Sequence, residues 1–294
     1  MRKQFVRTTE DVMAKDERLV VLLGDIGVFG FRSAFEQFPA RIYNIGICEQ
    51  AMTSLAAGLS KEGLVPVVHS IAPFVVERCF EQIKVDFCYQ KLGGNIVSVG
   101  GSYDYAALGC THHCPGDVAI LRTLPGMEIV VPGTPQEYDQ LFRAAYADGQ
   151  PTYFRLSERK NPQSFDVQFG RASILKQGRL ATVVAVGTAL APVLAATQDL
   201  DVSVLYYTTV APFDAETLRQ NCANRKVVLV EPYYQGVLMQ DIVAALAPAS
   251  VQITTIGVPH RFLTDYGHQE QHDEALGLTP SGVRARIEQL IHAK

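Results

Sequence analysis

Short apolar runs alternate with longer amphipathic segments along most of this chain, and that alternation restricts the fold more than any other feature. Between two such runs, Met52, Leu55, Ala56 and Leu59 recur at i, i+3, i+4 and i+7, as on one face of a helix. Val76, Phe80, Ile83 and Phe87 repeat the same spacing. The runs that indicate strands in the first half are 19–24, 41–45, 65–69, 95–99, 128–131 and 152–156. Strands that alternate with helices predict an α/β fold with a parallel sheet.

The polar stretch 157–164 interrupts this pattern, and we interpret it as the start of a linker. Further strands are predicted at 181–186, 202–207, 226–230 and 252–256. Further helices are predicted at 190–197, 215–222, 237–246 and 281–292. The expected architecture is therefore two doubly wound α/β domains, residues 1–165 and 166–294. The chain has 294 residues, which agrees with two domains of roughly 150 residues each.

Charge and composition exclude several classes of protein. Lys and Arg number 26 and Asp and Glu number 30, so the formal charge is −4, and no basic run is present. Such a chain is a poor nucleic-acid binder. No apolar stretch approaches the roughly 18 to 20 residues that cross a bilayer, and the six cysteines are too sparse for a disulfide scaffold. A cytoplasmic protein without a nucleic-acid or membrane partner is expected.

The segment 44–52 places an acid where a predicted strand passes into a predicted helix. Its sequence is Asn-Ile-Gly-Ile-Cys-Glu-Gln-Ala-Met, so that Gly46 turns the chain and Glu49 begins the helix. Parallel sheets bind ligands at such carboxyl ends of strands. The apolar neighbours indicate a pocket in which a carboxyl group can hold a proton near neutral pH. The alternative is an ordinary first-turn Glu favoured by the helix dipole, and spacing alone leaves both interpretations open.

The segment 69–74, His-Ser-Ile-Ala-Pro-Phe, ends the next strand and opens the next helix. Phe74 is therefore expected at the same edge of the sheet as Glu49. An aromatic ring beside an acid can stack on a flat heterocycle, whereas core packing is the default for a phenylalanine.

The segment 110–114, Cys-Thr-His-His-Cys, has the residue types of a zinc site. It lacks a second ligand pair at a familiar spacing, and adjacent histidines point in different directions. A histidine that serves a substrate pocket and a plain surface loop are the other interpretations. Neither G-x-x-x-x-G-K-[ST] nor a G-x-G-x-x-G after a strand occurs in the sequence.

Taken in order, these segments resemble the carboxyl-terminal two-thirds of transketolase and its relatives, over essentially the whole chain. Residues 46–50 resemble the strand–turn–Glu element of that family, 70–74 its aromatic-bearing segment, and 109–113 its Gly-x-Thr-His-Gln loop. Residues 227–231 and 257–262 resemble elements of its third domain. The resemblance implies a pyrimidine-binding domain followed by a transketolase carboxyl-terminal domain, with thiamine diphosphate as the cofactor.

The resemblance also implies roles for particular residues. Glu49 would hydrogen-bond a ring nitrogen of the aminopyrimidine and so favour the imino tautomer, and Phe74 would stack on that ring. Ile71 occupies the position of the second pyrimidine-side aromatic, and Asp25 that of an acid near the cofactor at the dimer interface. His112 matches a loop histidine that contacts substrate oxygen, so Glu49 and His112 are the expected catalytic residues.

The resemblance also implies that Arg159 and Leu108 lie where the family binds its substrates. Arg159 matches an acceptor-phosphate arginine, although Glu158 changes the spacing. Leu108 stands where transketolases have an Asp before the loop, and Gly100 stands where they have a His. A site without these polar groups should not select for the sugar hydroxyls that they bind. We therefore expect a less hydroxylated donor, or an unusual sugar.

The diphosphate-binding domain of the family has no counterpart in the sequence. Its Gly-Asp-Gly motif, with Asn about 30 residues on, holds magnesium and the diphosphate, because magnesium prefers oxygen ligands and bridges phosphates. Neither Gly24-Asp25 nor Gly116-Asp117 is followed by the third Gly. The resemblance therefore implies one subunit of a split enzyme of carbohydrate metabolism, without metal ligands of its own. A separate partner subunit would complete it, as an α2β2 heterotetramer.

The expected activity is transfer of a ketol or acyl group from a ketone donor to an aldehyde acceptor (EC 2.2.1). The first alternative is a decarboxylating ligase of pyruvate and an aldehyde, of the deoxyxylulose-phosphate synthase type. The beta subunit of a 2-oxo acid decarboxylase is disfavoured by the Thr111-His112 pair. A non-catalytic partner subunit is a further alternative. The sequence does not identify the donor, the acceptor, the pathway or the partner chain.

Overall fold

The computed structural model describes residues 1–293 and arranges them around two sheets. The strands are β1 (Leu19–Leu23), β2 (Ile42–Asn44), β3 (Val65–Ile71), β4 (Gly94–Val99), β5 (Glu128–Val130), β6 (Pro151–Arg155), β7 (Ser173–Lys176), β8 (Thr182–Val186), β9 (Ser203–Tyr207), β10 (Thr209–Ala211), β11 (Lys226–Tyr234) and β12 (Gln252–Val258). The helices are α1 (Arg2–Met13), α2 (Arg32–Gln37), α3 (Glu49–Lys61), α4 (Phe80–Gln82), α5 (Asp117–Leu121), α6 (Pro135–Ala145), α7 (Leu190–Thr197), α8 (Ala215–Asn221), α9 (Met239–Leu246), α10 (Gln269–Leu276) and α11 (Pro280–His292). Pro73–Glu77 and Ile83–Tyr89 are π-helical, and Ala106–Leu108 and Gly187–Ala189 form 3₁₀ turns.

The first sheet has the strand order β10-β5-β6-β4-β3-β1-β2, and all its pairs are parallel except β10 with β5. In the register of β1, Leu23 lies opposite Asn44 on one side and His69 on the other. The segments that leave these three strands therefore emerge together at one edge. This arrangement brings the start of α3 and the segment after β3 to the same edge.

The second sheet has the order β12-β11-β8-β9-β7, and only the β7–β9 pair is antiparallel. The predicted α/β architecture of two doubly wound units is confirmed. β10 leaves β9 of the second sheet and pairs with β5 of the first, so the two sheets are tied together by more than a linker. The division after residue 165 stays a prediction, and Lys294, its last residue, lies outside the described residues.

Both faces of the first sheet are covered. Along β1 every residue is buried, and alternate residues join different clusters, with Val21 in one and Val20 in the other. This explains the continuous apolar runs, because a parallel sheet with helices on both faces needs apolar side chains on both. No helix within residues 1–293 is both long enough and apolar enough to cross a bilayer.

One expectation about α3 was wrong. Met52 and Ala56 are buried as predicted, but Leu55 is 47% exposed. The buried face also includes Thr53 and Ala57, each one residue after a member of the predicted apolar face. The helix is therefore rotated relative to the predicted face, and Leu55 points to solvent.

Candidate active site

Glu49, the acidic residue at the edge where β1, β2 and β3 end, is the first residue of α3. Asn44 ends β2, and its Oδ1 accepts hydrogen bonds from the backbone N–H groups of Asp25 and Gly46, both at 3.0 Å. Gly46 has φ +79°, a conformation that glycine adopts without strain. After this turn, Glu49 is the first residue of α3, so it lies close to the ends of the strands.

Glu49 is buried, with 1% of its surface exposed, and both carboxylate oxygens have partners. Ser70 Oγ donates to Oε1 at 3.2 Å, and Arg78 Nη1 donates to Oε2 at 2.6 Å. Gly24 approaches from β1, and a Cβ at that position would lie 3.3 Å from Glu49 Cγ. The acid is therefore held by a built set of neighbours, unlike an ordinary first-turn glutamate exposed to solvent.

Aromatic rings lie next to this acid. Phe74 is half-buried in the π-helical turn after β3, and the Arg78 guanidinium carbon lies 4.4 Å from its ring centroid. The His112 ring is 5.4 Å from the Phe74 ring at an interplanar angle of 71°. The His112 ring also contacts a second aromatic ring, that of Tyr105, with 6.4 Å between the ring centroids. Phe74 and His112, each a separately predicted site residue, are thus brought together beside the Arg78 guanidinium that pairs with Glu49.

The titratable groups behind the site are poor acids and bases at neutral pH. Burial raises the pKa of the Cys79 thiol to about 11, so it stays protonated there. Burial lowers the pKa of His69 to about 4, and its Nδ1 lies 2.8 Å from the Val97 carbonyl oxygen. Neither group can exchange a proton readily near pH 7, which leaves Glu49 and His112 as the polar groups of interest.

The other predicted residues have different surroundings. Asp25 is exposed, with φ 65°, and its Oδ1 accepts a bond from Asn44 Nδ2 at 3.2 Å. Ile71 is 8% exposed at the end of β3 and packs in the core. Leu108 is 51% exposed in the turn that precedes His112. Asp25 and Ile71 each follow a residue that lies next to Glu49, Gly24 and Ser70 respectively.

Arg159 is engaged within the chain. Its Nη1 donates to both carboxylate oxygens of Asp273, at 2.9 and 2.7 Å, and its Nε donates to Gln269. Both partners belong to α10, so this arginine joins the end of the first domain to the second. The remaining guanidinium nitrogen, Nη2, is buried and has no hydrogen-bond partner within the described residues.

Two residues of the site, Arg78 and Tyr105, are not predicted from the sequence. Arg78 follows Phe74 by four residues, a spacing that places two side chains on one helical face, but its partner Glu49 is 29 residues away. Tyr105 fills the space beside Gly100, where a Cβ would overlap its ring. A histidine at position 100 is therefore sterically excluded, and the tyrosine ring takes its place.

The cysteines and histidines of residues 110–114 do not converge. Cys110 is exposed and Cys114 is buried, while His112 Nδ1 lies 3.0 Å from Thr111 Oγ1. In the part of the chain that the structure describes, no three His, Cys, Asp or Glu side chains are placed to hold a metal ion. The geometry gives no support to the zinc interpretation.

A cavity of about 560 Å³ lies between the two sheets, away from Glu49. It is lined by Arg155 and Arg159 from the first domain and by Glu231 and Asp273 from the second. Burial raises the pKa of the Glu231 carboxyl to about 8, although it accepts backbone N–H bonds from Gly236 and Leu238. These contacts lie within the second half of the chain, so Glu231 is held independently of the acid at the sheet edge.

Comparison with known families matches both halves of the chain. Residues 1–163 match the model described as "Transketolase, pyrimidine binding domain". Residues 170–283 match the model described as "Transketolase, C-terminal domain".

Individual relatives agree with this match. An uncharacterized 33.6 kDa protein in the fasciation locus of Rhodococcoides fascians is 39% identical over 280 residues, which cover 93% of this chain and 89% of that protein. One of the subunits of apulose-4-phosphate transketolase from Phocaeicola vulgatus is 28% identical over 295 residues, with 96% of this chain and 94% of that protein covered. A solved structure, "Split gene transketolase, inactive beta4 tetramer", superposes with a TM-score of 0.84 at 27% identity, covering 99% of this chain and 97% of the other.

Proposed function

The chain belongs to the transketolase family, and from that premise we propose that it is the pyrimidine-binding subunit of a split, thiamine-diphosphate-dependent transferase. In this proposal it moves a ketol or acyl group from a ketone donor to an aldehyde acceptor. The two halves, residues 1–165 and 166–294, serve as the pyrimidine-binding and carboxyl-terminal domains.

The observation that carries the proposal is the buried Glu49 carboxylate beside the ring of Phe74. A planar N–H donor, the guanidinium of Arg78, already donates to that carboxylate and lies over that ring. An aminopyrimidine is also planar, carries N–H groups and has an aromatic face. The same two side chains therefore fit it, by a hydrogen bond that Glu49 shares with a ring nitrogen and by stacking.

The chemistry divides between the cofactor and the residues of the chain. Thiamine diphosphate, when bound, supplies the carbon nucleophile that such transfers need. Glu49 holds a proton between its carboxylate and the ring nitrogen, and Phe74 and the buried Ile71 exclude water from that bond. Asp25, on the neighbouring loop, is proposed to contact the partner side of the site. His112 is within reach of the space over Phe74 and can bind or protonate a substrate oxygen.

A partner subunit is proposed to hold the diphosphate and magnesium. Within residues 1–293 no set of side chains is placed for a metal ion, and the family motif for magnesium has no counterpart in the sequence. The similarity over nearly full length to a single subunit of a transketolase, and to a split gene transketolase, supports this division. We propose an α2β2 assembly.

The donor is proposed to carry fewer hydroxyl groups than an ordinary ketose phosphate. Tyr105 occupies the space beside Gly100, and Leu108 replaces a carboxylate, so two hydrogen-bonding groups of the family are missing. Arg159 is proposed as a contact for an acceptor phosphate, through the Nη2 group that has no hydrogen-bond partner within the described residues.

The test is reconstitution of the chain with its diphosphate-binding partner, followed by product analysis. Transfer between a ketone and an aldehyde without carbon dioxide supports the proposal, whereas carbon dioxide release identifies the decarboxylating ligase. Normal rates with fructose 6-phosphate or xylulose 5-phosphate would remove the donor hypothesis.

Glu49→Gln is expected to lower turnover by roughly 100-fold or more, because proton-transfer groups contribute about that much. Glu62→Gln, on the exposed end of the same helix, is the control and should keep full activity. Full activity of Glu49→Gln would instead identify a non-catalytic partner subunit.

A further inference from the structure

One side chain, Arg78, covers both groups that the proposed function assigns to the aminopyrimidine. Its Nη1 lies 2.6 Å from Glu49 Oε2, and its Cζ lies 4.4 Å from the centroid of the Phe74 ring. A heterocycle that hydrogen-bonds Glu49 and stacks on Phe74 needs the same carboxylate and the same ring.

Burial shows which neighbour of Glu49 can leave. The glutamate is 1% exposed, so a heterocycle reaches its carboxylate only after a covering group moves. Ser70 is fully buried in β3, and Gly24 is backbone that follows β1, both within a packed parallel sheet. The Arg78 side chain is 36% exposed and extends from a π-helical turn. It is the one of these three neighbours that has solvent to move into.

We propose that Arg78 is a removable cover of the pyrimidine site. The guanidinium pairs with Glu49 and lies on Phe74 in the free chain, and it swings toward solvent when the heterocycle enters. This inference rests on the proposed function and deepens it by assigning a residue that regulates access to the same site.

Physical chemistry explains why such a cover is useful. A buried carboxylate without a partner is strongly destabilising, so the free chain gains stability from the Arg78 pair. Ser70 keeps its bond to Oε1 when Arg78 leaves, and the freed Oε2, with a proton taken up from solvent, becomes the partner of the incoming ring nitrogen. The cofactor must therefore replace an ion pair and a cation–π contact, and its apparent affinity is reduced accordingly.

The test measures cofactor binding rather than turnover. Thiamine diphosphate with magnesium is titrated into the assembled complex by calorimetry, and the association rate is followed by stopped-flow fluorescence. Arg78→Ala is expected to bind roughly tenfold more tightly and to associate faster, since the contacts that compete with the cofactor are gone. Arg78→Lys should fall between, because an ammonium keeps the charge but lacks the flat guanidinium face.

Arg18→Ala is the matched control, because Arg18 also forms an ion pair but lies at the opposite end of β1, 57% exposed. Its affinity should equal that of the wild type. Equal or weaker binding by Arg78→Ala overturns the proposal, while a wild-type complex that binds no thiamine diphosphate overturns the proposed function itself.

A structure of the wild-type complex with thiamine diphosphate gives a second readout if Arg78→Ala fails to assemble. Separation of Arg78 Nη1 from Glu49 Oε2 beyond ~4 Å, the limit of an ion pair, supports the cover. Retention of the 2.6 Å pair beside the bound heterocycle contradicts it.

Discussion

The ion pair between Arg155, which lines the cavity between the two sheets, and Asp117 offers a sharp test of how much a buried charge pair stabilises the fold, through the substitution Asp117→Asn. Arg155 is 2% exposed and Asp117 is fully buried, and Arg155 Nε donates to Asp117 Oδ2 at 2.7 Å. Tyr153 also donates to that oxygen, at 2.8 Å. The substitution keeps the shape of the side chain but removes the negative charge that faces a buried cation.

The expected loss in the free energy of unfolding follows from the fact that the buried Arg155 stays charged. Burial acts most strongly and lowers the pKa of its guanidinium, but Asp117, Tyr153 and Asp104 together raise it by more, so the group stays charged. Loss of one partner from a buried pair costs about 3–5 kcal/mol, because the other charge is left without compensation. We expect Asp117→Asn to lower the free energy of unfolding by about that amount.

The assay is urea denaturation followed by far-UV circular dichroism, with Asp241→Asn as the control. Asp241 pairs with Arg122 at 2.5 Å, but the two side chains are 22% and 19% exposed. Solvent screens that pair, so its loss should cost less than about 1 kcal/mol. If Asp117→Asn also cost less than about 1 kcal/mol, Arg155 would not be the uncompensated buried charge that we infer.

Two further predictions concern Gly101 and Glu231, which line the same cavity as Arg155. Gly101→Ala should lower the free energy of unfolding by about 1–3 kcal/mol in urea denaturation, because its Cβ would lie 2.7 Å from Arg155 Cζ and displace the guanidinium. An unchanged denaturation midpoint would contradict this, because it would mean that the loop accommodates the methyl group without cost. Burial raises the pKa of Glu231 to about 8, so the folded chain keeps a proton that the unfolded chain loses above roughly pH 4.5. Thermal stability should therefore fall as the pH rises from about 5 to 8, and Glu231→Gln should flatten that slope; an equal slope in both proteins would contradict the assignment.

The position of Glu49 and Phe74 at one edge was predictable because it follows from parallel strands alone. Once β1, β2 and β3 are adjacent, their carboxyl ends meet, and the residues that follow need no further information. Local patterns also located most strands of the second sheet, and two of them, β8 and β9, are runs in which every residue is buried.

The parts that sequence reasoning missed depend on contacts between distant segments. The pairing of Arg78 with Glu49 joins two elements 29 residues apart, and Arg159 meets Asp273 across 114 residues. The strand β10 has only three residues and is defined by its pairing with β5 rather than by its own composition. Side-chain spacing carries no information on such partners, which are set by packing of the whole fold.

Everything proposed for this chain depends on its supplying the pyrimidine half of a cofactor site that another polypeptide completes. Calorimetric titration of thiamine diphosphate and magnesium into the chain alone, the partner alone and the assembled complex tests this most directly. We predict tight binding by the complex, lost in Glu49→Gln, and none of comparable strength by the isolated chain. Tight binding and turnover by the isolated chain would contradict the proposal.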